Sequence, residues 1–370
     1  MRIAFLCKRK YMGKDVIDDR YARLYEIPFQ LAKLGHQVHG WCLGYQGQPE
    51  GQWRHEAGPG TLDWTARSVR GAKIADLALY PSRLLADLRK FAPDVLIGAS
   101  DIPQVALGAW LSRRLGVPFV ADLYDNFEGF GQARLLGMKA ALRRAVRNAQ
   151  LVTTTSEPLA ALVRDGYGAR GVVIAMPSTV DKAVFRPMDR RQCRASLGLP
   201  LDVRLIGTAG GLHRDKGVGT LYEAWQQLVT ERPDLHLVLA GPVDPSFPPP
   251  PDPRVHYLGM LPHARTAELF AALDVGIIYV RETPFGKYCF PQKAYEMIAC
   301  ELPVVAASVG AVSDLFADTP NSLYIPDDAA QLADRIRGQL ASPSVSATRV
   351  EGWSEIIADM ERRIAALVRH

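Results

Sequence analysis

Two stretches of this 370-residue chain bring together residue types that can do chemistry. The first is GTAGGLHRDKGVG, Gly207–Gly219, which follows an apolar run (Val203–Ile206) and precedes a helical pattern from Leu221. Glycines at 207, 210 and 211 let a backbone approach a ligand closely, and the free amides of a helix start suit a phosphate. Arg214 and Lys216 add positive charge at the same point. The spacing is neither the dinucleotide fingerprint nor the P-loop, because Gly217 rather than Ser or Thr follows Lys216. Taken alone, the stretch also reads as an ordinary glycine-containing turn. The second stretch is PFGKYCFPQKAYEMIACELPVVAASVG, Pro284–Gly310, where a short helix carries Lys293 and Glu296 ahead of a strand led by Pro303. A glutamate so placed can accept two ribose hydroxyls. Lys293 lies one turn earlier on the same side, so a surface salt bridge is the competing reading.

The elements that must position these groups repeat one grammar. Candidate strands at Arg2–Cys7, Gln37–Leu43, Asp94–Ala99, Pro118–Leu123, Leu151–Thr155 and Val172–Met176 alternate with helical patterns at Tyr21–Leu34, Ile102–Leu115 and Arg134–Asn148. A second series has strands at Val203–Thr208, Leu235–Ala240, Asp274–Tyr279, Pro303–Ala307 and Ser322–Ile325. Its helices fall at Val218–Val229, Arg265–Ala272, Gln292–Ala299 and Ala329–Leu340. Such alternation predicts parallel sheets covered by helices on both faces. The fold class is therefore α/β, with two doubly wound Rossmann-like domains facing a cleft and a hinge near residues 181–200. The proline-rich Pro242–Arg254 must be an exposed loop. An amphipathic last helix, Trp353–Val368, packs back on a neighbouring surface.

Composition narrows the partners. With 48% hydrophobic and 22% charged residues the chain is of the soluble globular class. No apolar run reaches the roughly 18 residues of a membrane span, and Ile3–Cys7 reads as a first strand rather than a signal peptide. Five scattered cysteines suggest reduced thiols in a cytoplasm and no zinc site. Residues 1–185 hold 25 Lys and Arg against 17 Asp and Glu, whereas the remainder holds 19 against 22. The basic half points to an anionic partner, either an acceptor or a membrane surface. No nucleic-acid module is recognisable.

Taken together, the two stretches resemble the retaining family 4 glycosyltransferases of the GT-B fold. Lys216–Gly217 followed by LYEAW is similar to that family's phosphate loop and next helix, and YEMIACELPVVA to its ribose-binding helix and following strand. SEPLAALVRDGYG and VVIAMPSTVDKAVFRP resemble the interdomain passage, and HYLGMLPHARTAELFAALDVGII the segment that receives the base. The resemblance runs in order from about Leu151. It implies an acceptor-binding domain at 1–184 with the C-terminal helix 350–370, and a donor-binding domain at 185–349. It further implies a nucleotide-diphosphate sugar as co-substrate, transfer with retention, and no metal or other cofactor. Gly210, Gly211, Lys216, Tyr288, Phe290, Lys293 and Glu296 would hold the donor, with Arg214 and Lys216 neutralising the diphosphate and Glu296 binding the ribose. Three departures stand out. Tyr288 occupies the place of an acidic residue eight positions before the ribose glutamate, with Glu282 further upstream. Gly211 replaces an arginine, leaving Arg214 and Lys216 as the evident cations. A single Gly13 replaces paired glycines.

On the acceptor side, Asp122, Asp125 and Glu128 cluster where ADLYDNFEGFGQ leaves a strand. Asp125 and Glu128 are candidates for acceptor binding or proton handling, against the commoner uses in capping and loop hydrogen bonds. Gly13, Arg20 and Arg23 border the same region, and the two arginines could meet an anionic acceptor or form a solvated helix start. Residues 134–148 show Leu135, Met138, Leu142 and Val146 on one face beside Lys139, Arg143 and Arg147. That is the pattern of a basic helix resting on an anionic membrane, which would make the protein peripheral on the inner face, or of a core helix with a solvated face. Other functions on this framework are a nucleotide-sugar epimerase, a phosphorylase, and a non-catalytic sugar-binding scaffold. A dehydrogenase is a poor fit, because CKRKYMGKD carries no glycine fingerprint.

Overall fold

A computed structural model describes residues 1–69 and 74–369. The chain divides into two compact units, Met1–Ser178 with Trp353–His370, and Thr179–Gly352. In the first, the strands are β1 (Arg2–Lys8), β2 (Lys10–Tyr11), β3 (Lys14–Asp15), β4 (Gln37–Gly44), β5 (Gly51–Ala57), β6 (Gly60–Ser68), β7 (Val95–Ala99), β8 (Phe119–Leu123), β9 (Leu151–Thr154) and β10 (Val172–Ala175). Among the described residues they form an eight-stranded sheet in the order β10-β9-β8-β7-β1-β4-β6-β5, with β2 and β3 a small separate hairpin. All neighbours in the large sheet are parallel except β5 and β6. The antiparallel edge and the helix Ile74–Phe91 fill the stretch between the second and third expected strands, where sequence periodicity assigns nothing. Strands β7, β8 and β9 are buried throughout, as helices on both faces require.

The second unit holds β11 (Arg204–Ala209), β12 (Leu235–Ala240), β13 (Val255–Tyr257), β14 (Val275–Ile278), β15 (Val304–Ala307) and β16 (Leu323–Tyr324). They form a wholly parallel sheet ordered β13-β12-β11-β14-β15-β16. Each sheet reverses its order once, between β1 and β7 in the first unit and between β11 and β14 in the second. Ligands of open α/β sheets gather outside the carboxyl ends of strands at such reversals.

Several expectations are corrected. The helix expected over 134–148 spans only Met138–Arg147, because Gly137 takes φ +83° and no right-handed helix continues through it. Leu135 therefore leaves the apolar face and is 60% exposed. Residues 181–200 also contain a helix that periodicity does not assign, Arg190–Leu197, capped by the Asp189 carboxylate at one end and left-handed Gly198 at the other. Arg23 is neither solvated nor free for an acceptor. It is fully buried, and its Nε lies 2.9 and 3.0 Å from the oxygens of Asp122, which also accepts from Thr153 Oγ1. Cys7 and Cys42, distant in sequence, face each other in register on β1 and β4 with thiols 3.3 Å apart. The C-terminal helix presents Trp353, Ile357, Met360 and Ile364 to the first unit's core and ties Glu361 to His36 at 3.1 Å.

The Arg23–Asp122 pair is fully enclosed, so its partners are interdependent. Asp122→Asn leaves a buried guanidinium without its counter-charge and is expected to cost about 3–5 kcal/mol. Chemical denaturation should show the loss, with hydrogen exchange locating it in β1, β7 and β8. An unchanged midpoint would refute the assignment.

Candidate active site

In the second unit the reversal gathers the glycine loop, the exit of β14 and the helix Lys293–Ala299. β11 ends at Ala209, and Gly210 turns the chain at φ +122°, a value side-chain-bearing residues avoid. The loop is pinned to the end of β12 by Gly210 N–H to Ala240 O (2.9 Å) and Leu212 N–H to Pro242 O (2.8 Å). Tyr279, just past β14, donates its hydroxyl to Gly211 O at 3.0 Å. Sequence reasoning passed over this tyrosine, although its place one residue beyond an apolar strand was a signal.

Two cations meet over this loop. A methyl group at Gly210 would lie 3.1 Å from the Lys293 ammonium, and one at Gly211 would lie 3.2 Å from that of Lys216. Gly210 is required by its left-handed dihedral, and at Gly211 a methyl group would also meet the His213 ring, 2.8 Å away. Lys293 donates to Thr208 Oγ1 at 3.3 Å and sits 5.0 Å from the centre of the Tyr279 ring. Its ammonium is the second cation of the loop, supplied from a separate element. The structure does not bring Arg214 to the same point: its guanidinium lies over the Phe247 ring, 5.4 Å from the centroid.

The helix that carries Lys293 buries Ala294, Met297 and Ile298 and turns Lys293 and Glu296 away from that core face. It stops at Cys300, ahead of Pro303, which disfavours a helical residue before it. Lys293 and Glu296 form no ion pair within 4 Å, and the Glu296 carboxylate has no hydrogen-bond partner among the described residues. Burial raises the Glu296 carboxyl to about 7, with Lys293 pulling the other way. Burial lowers the Lys293 ammonium to about 8, opposed by Glu296 and reinforced by Lys216. Perturbed groups without protein partners are candidates for ligand contact. Tyr288 ends the short helix Pro284–Tyr288, which Thr283 caps through Gly286 N–H (3.2 Å). Phe290 turns its ring onto Tyr295, 4.7 Å away, and packs with the apolar core.

In the first unit the reversal brings Lys8, at the end of β1, beside the exits of β7 and β8. Lys8 Nζ donates to the Tyr124 hydroxyl at 2.8 Å, and its backbone N–H donates to Ser100 Oγ at 2.8 Å. Asp125 follows Tyr124. Burial pushes its carboxyl up to about 6 against the Asn126 N–H and the Lys8 charge. Glu128 is engaged elsewhere, in a two-pronged pair with Arg143 at 2.6 and 3.0 Å. Gly13 tops the β2–β3 hairpin, and Arg20 is exposed. A cavity of about 330 Å³ between helices Ile102–Leu115 and Met138–Arg147 reaches Phe119 and Gln150, at the amino ends of β8 and β9, away from both clusters. No group of three or more His, Cys, Asp or Glu side chains suited to a metal occurs among the described residues.

Comparison with known proteins bears on the family and the fold. Residues 203–342 match the family model for glycosyl transferases group 1, and residues 23–177 match that for a glycosyl transferase 4-like domain. A putative teichuronic acid biosynthesis glycosyltransferase of Bacillus subtilis is 26% identical over 76% of this chain and 68% of its own. A D-inositol 3-phosphate glycosyltransferase of Catenulispora acidiphila is 30% identical over 73% of each chain. Among solved structures, Anabaena HepE in complex with UDP superposes with a TM-score of 0.67 at 19% identity, covering 100% of this chain and 98% of that one. Both halves are matched and the fold is shared from end to end, so the chain belongs to the group 1 glycosyltransferases, the GT-B enzymes of family 4.

Proposed function

We propose that the chain moves a sugar from a nucleotide-diphosphate donor, held by the second unit, to a glycan or lipid-linked acceptor taken by the first. Transfer proceeds with retention and without a metal ion. The observation that carries this reading is the convergence of Lys216 and Lys293 on Gly210–Gly211 at the sheet's order reversal. A diphosphate between the ammonium groups replaces their repulsion with charge-assisted contacts. The UDP named in the Anabaena structure supports a donor of this class.

Glu296, its carboxylate free of protein partners, accepts the ribose hydroxyls. As the bond from the anomeric carbon to the phosphate oxygen breaks, negative charge grows on the diphosphate and both lysines bind it more strongly. The acceptor oxygen bonds to the same face of the anomeric carbon, and its proton leaves with the phosphate. Asp125 binds the acceptor hydroxyl and orients it for this step. Glu128, locked to Arg143, holds the segment that carries it.

Nucleotide release from a panel of UDP-, GDP- and ADP-sugars tests this reading. One donor should be consumed, and Lys216→Ala and Lys293→Ala should each lose about 1.5–3 kcal/mol of transition-state stabilisation, roughly 10- to 150-fold in rate. Full activity in both variants would sink the site assignment. Affinity for the nucleotide sugar, whose diphosphate does not titrate here, should rise as Glu296 ionises through about 7 and fall as Lys293 loses its proton through about 8. Calorimetry across this range should show a maximum between the two, and Glu296→Gln should flatten the acid limb. A flat profile in the unaltered protein would count against both roles.

Membrane contact belongs to the same proposal. Leu135 and Leu136, 60% and 106% exposed, precede a helix bearing exposed Lys139, Arg144 and Arg147. That combination suits the surface of an anionic bilayer. Sedimentation with anionic vesicles should exceed that with neutral ones and drop in Leu136→Glu. Equal binding to both would remove the membrane role.

A further inference from the structure

The first unit contains a cavity of about 270 Å³ that the donor chemistry does not use, with Lys8, Lys10, Gly13, Tyr45, Gln48 and Gln132 among its lining residues. Lys8 ends β1, Tyr45 follows β4 and Gln132 follows β8, so the cavity opens at the carboxyl ends of adjoining parallel strands, beside the reversal between β1 and β7. Its volume lies just below the ~300 Å³ at which sites for drug-sized ligands begin, which suits a single ring with its substituents.

Two amide oxygens at and behind the lining lack donors. Gln132 Oε1 is buried without a hydrogen-bond partner among the described residues, and so is Gln104 Oε1 behind it, on a residue 1% exposed. They belong to one cluster with Asp101. Gln104 Nε2 donates to the Tyr45 hydroxyl at 3.2 Å, and the Asp101 carboxylate is served by hydrogen bonds from Tyr45 and Gln132 and by the charge of Lys8, all cavity residues. Asp101 Oδ1 also accepts from the Gln104 N–H, 3.0 Å away, as the cap of helix Ile102–Leu115. Buried acceptors without partners call for hydroxyl donors from a ligand. At the rim the requirement is opposite. Lys10 is exposed and makes no ion pair or side-chain hydrogen bond among the described residues.

We propose that this cavity seats the receiving end of the acceptor, and that this end is a hydroxyl-rich ring bearing an anionic substituent, either a carboxylate or a phosphate. The ring hydroxyls donate to Gln132 Oε1 and into the Asp101–Gln104 cluster, while the anionic substituent meets Lys10 and Lys8. The inference rests on the glycosyltransferase reading for the word acceptor, but the binding it requires does not.

The full chain is titrated with glucose, glucuronate, glucose 6-phosphate and myo-inositol 1-phosphate, with binding followed by saturation-transfer NMR. At least one anionic probe should bind about tenfold or more tightly than glucose, as expected where buried polar groups are matched by the ligand. The preferred probe tells a carboxylate from a phosphate. Lys10→Ala should erase the preference for the anion, and Gln132→Leu should abolish binding of every probe. Asp101→Asn, which keeps the cap, should weaken all probes alike. UDP binding by the same variants serves as the control. It should be unchanged in these three and lost in Lys216→Ala, which should still bind the ring, so a failed donor site and a failed cavity are told apart. Glucose binding as tightly as the anions, or probe binding that survives Gln132→Leu, overturns the proposal.

Discussion

Two ammonium groups share one backbone turn, and much of the second unit is arranged to keep them there. Lys216 reaches Gly211 from the loop itself, whereas Lys293 reaches Gly210 from a helix about 80 residues later in the chain. Like charges this close, one of them partly withdrawn from water, raise the free energy of the unliganded protein. The fold tolerates the pair because several contacts position them independently. Hydrogen bonds to Ala240 and Pro242 fix the loop, Tyr279 braces both Gly211 and Lys293, and buried Met297 and Ile298 anchor the helix. An anion relieves the repulsion, so the geometry that costs stability is also the geometry that selects the ligand.

Charges elsewhere obey the opposite rule. Arg23 and Asp122 are fully buried and satisfy one another, and Arg194 at 2.8 Å from Asp274 does the same, with Leu205 N–H completing the aspartate's shell at 2.7 Å. Further contacts complete each pair within its unit, Met176 O accepting from Arg23, and Arg190 and Arg204 adding to Asp274. Beyond the carboxyl ends of the strands, by contrast, some polar groups are left incomplete among the described residues: Glu296 and Lys10 make no side-chain hydrogen bond or ion pair, and Gln104 and Gln132 each keep an unmatched oxygen.

Sequence legibility follows the same division. The strands Arg2–Lys8 and Leu235–Ala240 and the helices Ile102–Leu115 and Trp353–Val368 are plain from periodicity, because each buries a regular face. The edge strand β5 and its neighbour β6 are not, since GQWRHEA and GTLDWTARS interleave polar residues with their buried ones. The helix at 138–147 is over-read because one residue, Gly137, decides its start through a dihedral that hydrophobic spacing does not encode. Lys216 and Glu296 are found from local motif. Tyr279 and the cluster of Asp101 with Gln132 are not, because their partners lie on other strands.

By itself the sequence determined the two-fold α/β repetition, the glycine loop and the presence of a lysine and a glutamate one turn apart. These depend on contacts within a few residues, and short-range spacing records them directly. Only the tertiary structure decided that the Lys293 ammonium comes over Gly210 while the Arg214 guanidinium lies over the Phe247 ring, that Arg23 is consumed by Asp122, and that Glu128 is tied to Arg143. The order of strands in each sheet sets which loop ends meet, and that order is fixed by packing across the whole unit rather than by any local run of residues.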